Sequence, residues 1–146
     1  MKNLVRVLLA MATLAWGHVQ AGTQVLGVEI GVSTLDQVRA GLAKQTKVMS
    51  GGINKYSAGE MLETEGDSYE IEGLGHVTYI FDSQKKLAAV LMSMDKNRFD
   101  AVAEAIGRKH KMSAQQRPFV GNQFARFKAP DAVIELNAPH LSFQME

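Results

Sequence analysis

Residues 35–48, LDQVRAGLAKQTKV, align without a gap with residues 99–112, FDAVAEAIGRKHKM. The offset is 64 residues, and at the same offset HVTYIF at 76–81 aligns with HLSFQM at 140–145. A third pair, 25–30 and 89–94, matches in apolar character only. Separate matches at one offset predict an internal repeat. A repeat implies that the fold consists of two similar units, whichever helices and strands each unit contains.

The first aligned segment predicts a helix over residues 34–46. Leu35, Val38 and Leu42 fall on one face of such a helix. Ser33 is positioned as the N-cap of a capping box in which Asp36 takes the place of the usual Glu or Gln. The pattern is typical of an amphipathic helix that packs one side on a sheet.

The second aligned segment predicts a helix over residues 98–110. Its apolar side chains recur at positions i, i+3, i+4 and i+7, which is the spacing of one helical face. Asn97 occupies the place of Ser33, and Asp100 that of Asp36. The recurrence of both cap positions supports the repeat.

A β-hairpin is predicted between the two units. Residues 76–81 alternate in polarity, 82–86 form a polar turn, and 87–94 return. The return strand is apolar on both faces, which is typical of a central strand covered on each side. A final strand is predicted at 140–145, and the connecting segments 49–66 and 117–130 each have room for one or two more strands.

These elements predict an α+β fold. Two tandem β-α-β(β) units, about 22–81 and 82–146, would form one antiparallel sheet with two helices packed on one of its faces. The units would be related by a pseudo-twofold axis. The opposite face of the sheet is then the natural place for function.

The first 21 residues are typical of an export signal. Lys2 and Arg6 precede an apolar run at 7–16, and Val19-Gln20-Ala21 offers small residues for cleavage after Ala21. The alternative is an uncleaved anchor, but about ten apolar residues fall short of the roughly 20 that span a bilayer. We therefore expect a periplasmic or secreted protein whose mature part, 22–146, is a single domain without stable membrane insertion.

Composition narrows the classes of function. The signal carries two basic and no acidic residues, so its removal changes the formal charge from +1 to −1. This near-neutral balance disfavours nucleic acid as a partner. The chain contains no cysteine, which excludes thiol chemistry and disulfides.

A resemblance to known families rests on residues 30–38, IGVSTLDQV, followed by a helix and a hairpin of the kind at 79–87. This arrangement resembles small secreted domains of the beta-lactamase-inhibitor-protein type, and it is similar to outer-membrane assembly lipoproteins of the SmpA/OmlA type. The first group is a tandem repeat whose concave sheet clamps a protein. The chain has neither the lipidated cysteine of the second group nor the disulfides of the first. The resemblance implies protein binding and assigns no residue.

The densest charged feature is the acidic segment 60–72, in which six carboxylates occur in 13 residues with no basic residue. One interpretation is a solvated loop and edge strand, where charge discourages aggregation. The other is a docking surface for a cationic partner, with nearby tyrosines as aromatic anchors. A calcium site is a weaker alternative, because the segment lacks the oxygen pattern of the familiar calcium loop. The predicted partner-binding residues are Tyr56, Glu60, Glu63, Glu65, Asp67 and Tyr69.

Catalytic motifs are absent from the sequence. There is no Gly-x-Ser-x-Gly, and Gly51-Gly52 is not followed by the Lys and Ser or Thr of a phosphate loop. His76 and His140 are equivalent in the repeat, but two separated histidines without metal-ligand spacing are better interpreted as structural. We expect no enzyme activity, no metal and no cofactor.

The expected function is that of an exported, non-enzymatic protein-binding module that inhibits, neutralises or assists another envelope or secreted protein. The uncovered sheet face and the loops 50–68 and 113–130 would form the surface. The alternative is a carrier of a small or lipidic ligand held between sheet and helices, with Phe119, Phe124 and Phe127 lining the cavity. A homodimer through an exposed strand at 140–145 is a further option.

Overall fold

The computed structural model describes residues 22–138. Over these residues the chain is α+β, as predicted, with two α-helices and strands that all pair antiparallel. The predicted signal at 1–21 and the predicted strand at 140–145 lie outside the described residues. The elements are β1 Gln24–Val25, β2 Val28–Glu29, α1 Leu35–Leu42, β3 Met49–Ile53, β4 Ala58–Glu65, β5 Leu74–Asp82, β6 Leu87–Met94, α2 Phe99–Gly107, β7 Lys111–Gln116, β8 Gln123–Lys128 and β9 Val133–Ala138.

The larger sheet is a four-stranded meander in the order β3-β4-β5-β6, and α1 packs on one of its faces. The predicted apolar stripe of α1, Leu35, Val38 and Leu42, is buried there. The stripe packs on residues of β4, β5 and the start of β6 that point to the α1 side, since successive side chains of a strand point to opposite faces. The buried partners are Leu62, Leu74, Val77, Tyr79, Phe81 and Leu87.

The capping box of α1 is present but lies one residue later than predicted. Thr34, not Ser33, is the N-cap: its hydroxyl accepts a hydrogen bond from the Gln37 backbone N–H, and the Gln37 side chain accepts one from the Thr34 N–H. Ser33 is engaged elsewhere, because its hydroxyl accepts a hydrogen bond from the Glu29 N–H at 2.9 Å. The helix ends at Leu42, four residues before the predicted end.

The predicted hairpin is confirmed as β5 and β6, joined by a turn at 83–86. The Asp82 carboxylate organises this turn by accepting hydrogen bonds from the backbone N–H groups of Gln84 (2.8 Å) and Lys86 (2.9 Å). Lys85 takes a left-handed conformation, with φ of 61°, to reverse the chain.

The second sheet has the order β7-β8-β9, and α2 packs on it. Phe99 and Ala103 of α2 meet Ala125 and Phe127 of β8 in a hydrophobic cluster distinct from the one under α1. Asn97 is not the cap of this helix, contrary to the prediction. It lies in a short 3-10 turn, Lys96–Arg98, which leads directly into α2.

Residues 25–30, the segment before α1 where a β-α-β(β) unit would have its first strand, do not form one continuous strand. They fold into a tight hairpin of β1 and β2, with Leu26 and Gly27 at φ of 50° and 80° in the turn. Two consecutive positive φ values are typical of a type I′ turn, which reverses the chain within two residues. The segment therefore cannot extend along a neighbouring strand as 89–94 does.

The predicted single sheet is also not observed among the described residues, where the strands form separate sheets of two, four and three strands. β6 was predicted to be a central strand, but among the described strands it lies at an edge, and Leu91 and Met92 are 57% and 44% exposed. The separation of the sheets and the edge position of β6 have the same cause, because no described strand pairs with the outer edge of β6 to continue the sheet. The pseudo-twofold repeat stays a prediction.

Candidate protein-binding surface

The face of the larger sheet opposite α1 belongs to neither of the two hydrophobic cores. We call it the open face and define it by β4, β5 and β6. Three rows of directly paired residues cross it, since Met61 pairs with Ile80 and Ile80 with Ala89, and the next rows follow at two-residue steps. The rows are Met61-Ile80-Ala89, Glu63-Thr78-Leu91 and Glu65-His76-Ser93.

The alternation of β4 and β5 creates this face. Leu62, Thr64, Val77 and Tyr79 turn toward α1 and are fully buried or nearly so. Their sequence neighbours must then point the other way. Each row of the open face contains at least one solvent-accessible side chain, and Leu91 is the most exposed apolar one.

The open face combines an apolar row with an acidic side. Met61, Ile80 and Ala89 form the apolar row, and the carboxylates of Glu63 and Glu65 project from the adjoining strand positions. Glu63 Oε2 lies 3.7 Å from His76 Nε2, so the two form an ion pair when the imidazole is protonated. The apolar row lies at one end of the open face and the charged residues follow it, and protein interfaces combine apolar and charged groups in this way.

Two predicted site residues, Glu60 and Tyr69, lie away from the open face. Glu60 is on the α1 side, where its carboxylate accepts a hydrogen bond from the Arg39 guanidinium at 3.1 Å. The Tyr69 hydroxyl is hydrogen-bonded to the hydroxyls of Thr64 (2.6 Å) and Tyr79 (2.9 Å) inside the core. Burial, helped by the hydrogen bond with Tyr69, raises the pKa of the Tyr79 phenol well above its ordinary value. Tyr69 therefore acts within the fold and is not free as an anchor.

Tyr56 and Asp67 are exposed at the ends of β4. Tyr56 lies in the turn between β3 and β4, is 86% exposed, and has the Lys55 ammonium 4.9 Å from its ring centre. Asn54 holds this turn, since its side-chain oxygen accepts hydrogen bonds from the N–H groups of Tyr56 and Ser57. Asp67 lies at the other end, in the 3-10 turn Gly66–Tyr69 that follows β4.

The acidic segment is thus divided among several environments. Besides Glu60 with Arg39 and Glu63 with His76, Glu72 pairs with Arg98 at 3.3 Å. Of the six carboxylates that the sequence grouped together, the structure places two, Glu63 and Glu65, on one face. The segment is not a single continuous acidic patch.

Most of the open face was not predicted from the sequence. The charges of β4 were predicted as site residues, but the side chains that pair with them across the strands were not. The signal was available in the alternation of 76–81, because assigning Val77 and Tyr79 to the core leaves His76, Thr78 and Ile80 on the other face.

A cleft of about 890 Å³ lies between β6 and β9, with α2 along it. Its apolar lining includes Val90, Val102, Ile106 and Leu136. The phenylalanines expected to line a ligand cavity are elsewhere: Phe127 is fully buried in the second core, Phe119 is fully exposed, and Phe124 is absent from the lining. None of the three phenylalanines lines this cleft.

Within residues 22–138, no group of three or more His, Asp or Glu side chains is arranged to hold a metal ion. In the same range, no helix has the length and apolar character needed to cross a membrane. Comparisons with protein-family models, with curated proteins and with solved structures found no match.

Proposed function

We propose that this protein is an exported, non-enzymatic protein-binding module that uses the open face to inhibit, neutralise or assist another envelope or secreted protein. The observation that carries this proposal is the apolar row Met61-Ile80-Ala89 lying beside the carboxylates of Glu63 and Glu65 on a sheet face without a covering helix. An antiparallel sheet with one face packed on its helix normally has polar side chains on the other. Here apolar residues interrupt that pattern.

The open face favours a partner with basic side chains around an apolar contact. Glu65 is exposed and Glu63 is one-third exposed at its side chain, so both are available to cationic groups. Charges of this kind mainly speed association and select the partner, whereas the apolar row supplies affinity. Binding should accordingly weaken as salt concentration rises.

The proposal is tested by crosslinking the mature chain in an envelope extract of its source, identifying the retained protein, and measuring its Kd with purified components. The double variant Glu63→Lys/Glu65→Lys should weaken binding by about tenfold or more at low salt, because two attractive charges become repulsive. The matched control is Asp67→Lys/Glu70→Lys, which makes the same change in net charge within the acidic segment but off the open face. Equal Kd values for the parent and the Glu63→Lys/Glu65→Lys variant would refute the assignment.

A ligand carrier is the second candidate, and the β6–β9 cleft is the observation that favours it. Apolar side chains on α2, β6 and β9 would suit a lipidic or small apolar molecule. Two of the cleft's sides, however, are strand edges, which present unpaired backbone N–H and C=O groups. Such polar edges suit an apolar ligand poorly, so we rank the carrier below the binding module.

A further inference from the structure

The segment before β1 is held to the rest of the fold by two carboxylates. The Gly22 backbone N–H donates a hydrogen bond to Glu29 Oε1 of β2 at 2.6 Å. The next residue, Thr23, donates from its backbone N–H to Asp131 Oδ1 at 2.8 Å and from its hydroxyl to the same oxygen. Thr23 is buried and Gly22 is half-buried, so these contacts are part of the packed structure.

The two carboxylates converge on Gly22. A Cβ added there would lie 2.7 Å from Glu29 Oε1 and 2.8 Å from Asp131 Oδ2, which is closer than real side chains approach. Asp131 Oδ1 accepts the hydrogen bonds of Thr23, and Oδ2 is the oxygen that faces Gly22. Neither carboxylate takes part in the ion pairs found between described residues. Because neighbouring carboxylates repel each other, a positive charge at Gly22 would stabilise both.

Gly22 is also the first residue after the predicted cleavage site. When a signal peptidase hydrolyses the Ala21–Gly22 peptide bond, the water oxygen bonds to the Ala21 carbonyl carbon and the C–N bond breaks. Near neutral pH both protons of the water end on the Gly22 nitrogen, since an α-amino group is protonated there. An N–H with one hydrogen thus becomes an ammonium with three. The nitrogen that bonds Glu29 Oε1 then has protons for Asp131 Oδ2 as well, and its hydrogen bonds become charge-assisted.

We propose that signal cleavage creates an α-ammonium at Gly22 that forms a structural ion pair with Glu29 and Asp131, so that processing completes the fold. Two independent observations meet at this residue. The small residues Val19-Gln20-Ala21 predict the cleavage site from the sequence, and the fold brings the carboxylates to the same nitrogen. Glycine suits the position because a side chain would displace the carboxylates. This inference goes beyond the proposed function and does not depend on it.

The position of cleavage is the first test. The full chain, 1–146, is exported from a bacterial host, and the mass of the purified product is measured. We expect the mass of 22–146 with an unmodified amine. A product that begins at another residue, retains 1–21 or carries a blocked amine would overturn the proposal, because Gly22 would then have no ammonium.

Thermal stability measures the ion pair. The chain 19–146 keeps Val19-Gln20-Ala21, so its Gly22 nitrogen is an amide, and at pH 7 it should melt about 3 °C or more below 22–146. The facing carboxylates, Glu29 on β2 and Asp131 before β9, should raise the folded pKa of the amine above its ordinary value of about 8. Such stabilisation is present below the unfolded pKa and is lost as pH rises through the folded one. The melting difference should therefore shrink between about pH 8 and pH 11.

Glu29→Gln tests the acceptor. It removes one of the two charges and should reduce the melting difference between 19–146 and 22–146 to less than about half. Glu70→Gln, the matched control, removes an exposed carboxylate between β4 and β5 and should keep the difference of the parent. Equal melting temperatures of the two parent chains at pH 7 would overturn the ion pair. A difference that stays constant up to pH 11, or that Glu29→Gln leaves unchanged, would overturn it as well.

Discussion

Thr23 and Asp131 are 108 residues apart in sequence and are joined by two hydrogen bonds, from the Thr23 backbone N–H at 2.8 Å and from its hydroxyl, to the same carboxylate oxygen. The contact links the segment before β1 to the turn before β9. It therefore connects the first predicted residues of the mature chain with the turn that leads into the second sheet.

Asp131→Asn should remove a pH-dependent part of this link. The hydrogen bonds from Thr23 hold the pKa of the Asp131 carboxyl below its usual value. A lowered folded pKa stabilises the fold above the unfolded value of about 3.9, and the contribution disappears as pH falls through the folded pKa. The melting temperature of the parent should exceed that of Asp131→Asn near pH 6, and the difference should shrink toward pH 3. A difference independent of pH would contradict the role of the charge.

Gly59→Ala should destabilise the chain strongly. A Cβ at Gly59 would overlap the Phe81 and Asp82 backbone carbonyl oxygens of β5, at separations that real side chains do not adopt. The strands would have to separate where Ala58 pairs with Asp82, and such overpacking typically costs about 1–3 kcal/mol or more. The free energy of unfolding in urea measures this.

Gly75→Ala is the matched control for that experiment. It lies on β5, and the nearest atom to its added Cβ is the Ser93 carbonyl oxygen at 3.7 Å. Its unfolding free energy should stay within about 0.5 kcal/mol of the parent, as for ordinary surface substitutions. Equal losses in the two glycine variants would mean that the β4–β5 contact is looser than the structure shows.

Tyr69→Phe tests the buried hydroxyl chain. The change leaves the hydroxyls of Thr64 and Tyr79 without their shared partner in the core, and a buried polar group that loses its hydrogen bond costs about 1–3 kcal/mol. Tyr56→Phe makes the same chemical change at an exposed turn and should alter stability little. Chemical denaturation of both variants gives the comparison. Equal stability of Tyr69→Phe and the parent would show that Tyr69 is not structural.

The elements predicted most accurately from the sequence are those with strong local signals. The apolar stripes placed both helices, and the polar turn at 82–86 placed the β5–β6 hairpin. The errors occur where neighbouring residues compete for one role. Ser33 and Thr34 are both good caps, and only the hydrogen bond of Ser33 to Glu29 decides between them.

Tertiary structure explains what the sequence could not show about the surface. Glu60 and Glu63 are close in sequence but lie on opposite faces of β4, because strand positions three residues apart point to opposite sides, and only the tertiary fold brings Arg39 of α1 to Glu60. The sequence predicts that Tyr69 is an exposed aromatic residue, but in the fold its hydroxyl is hydrogen-bonded to the hydroxyls of Thr64 and Tyr79. Nothing local in 25–30 indicates that Leu26 adopts a positive φ, so the β1–β2 hairpin was not predictable from apolar character.

The central claim is that the open face binds a protein, and Thr78 lies at its middle, between Glu63 and Leu91. The most direct test is the Kd of the crosslinked partner for Thr78→Arg and for Ala114→Arg, a control on an exposed strand of the second sheet. A bulky cation at the centre of the interface should weaken binding by about 100-fold or more, while the control should bind as the parent does. If Thr78→Arg folds and binds as tightly as the parent, the open face is not the binding surface.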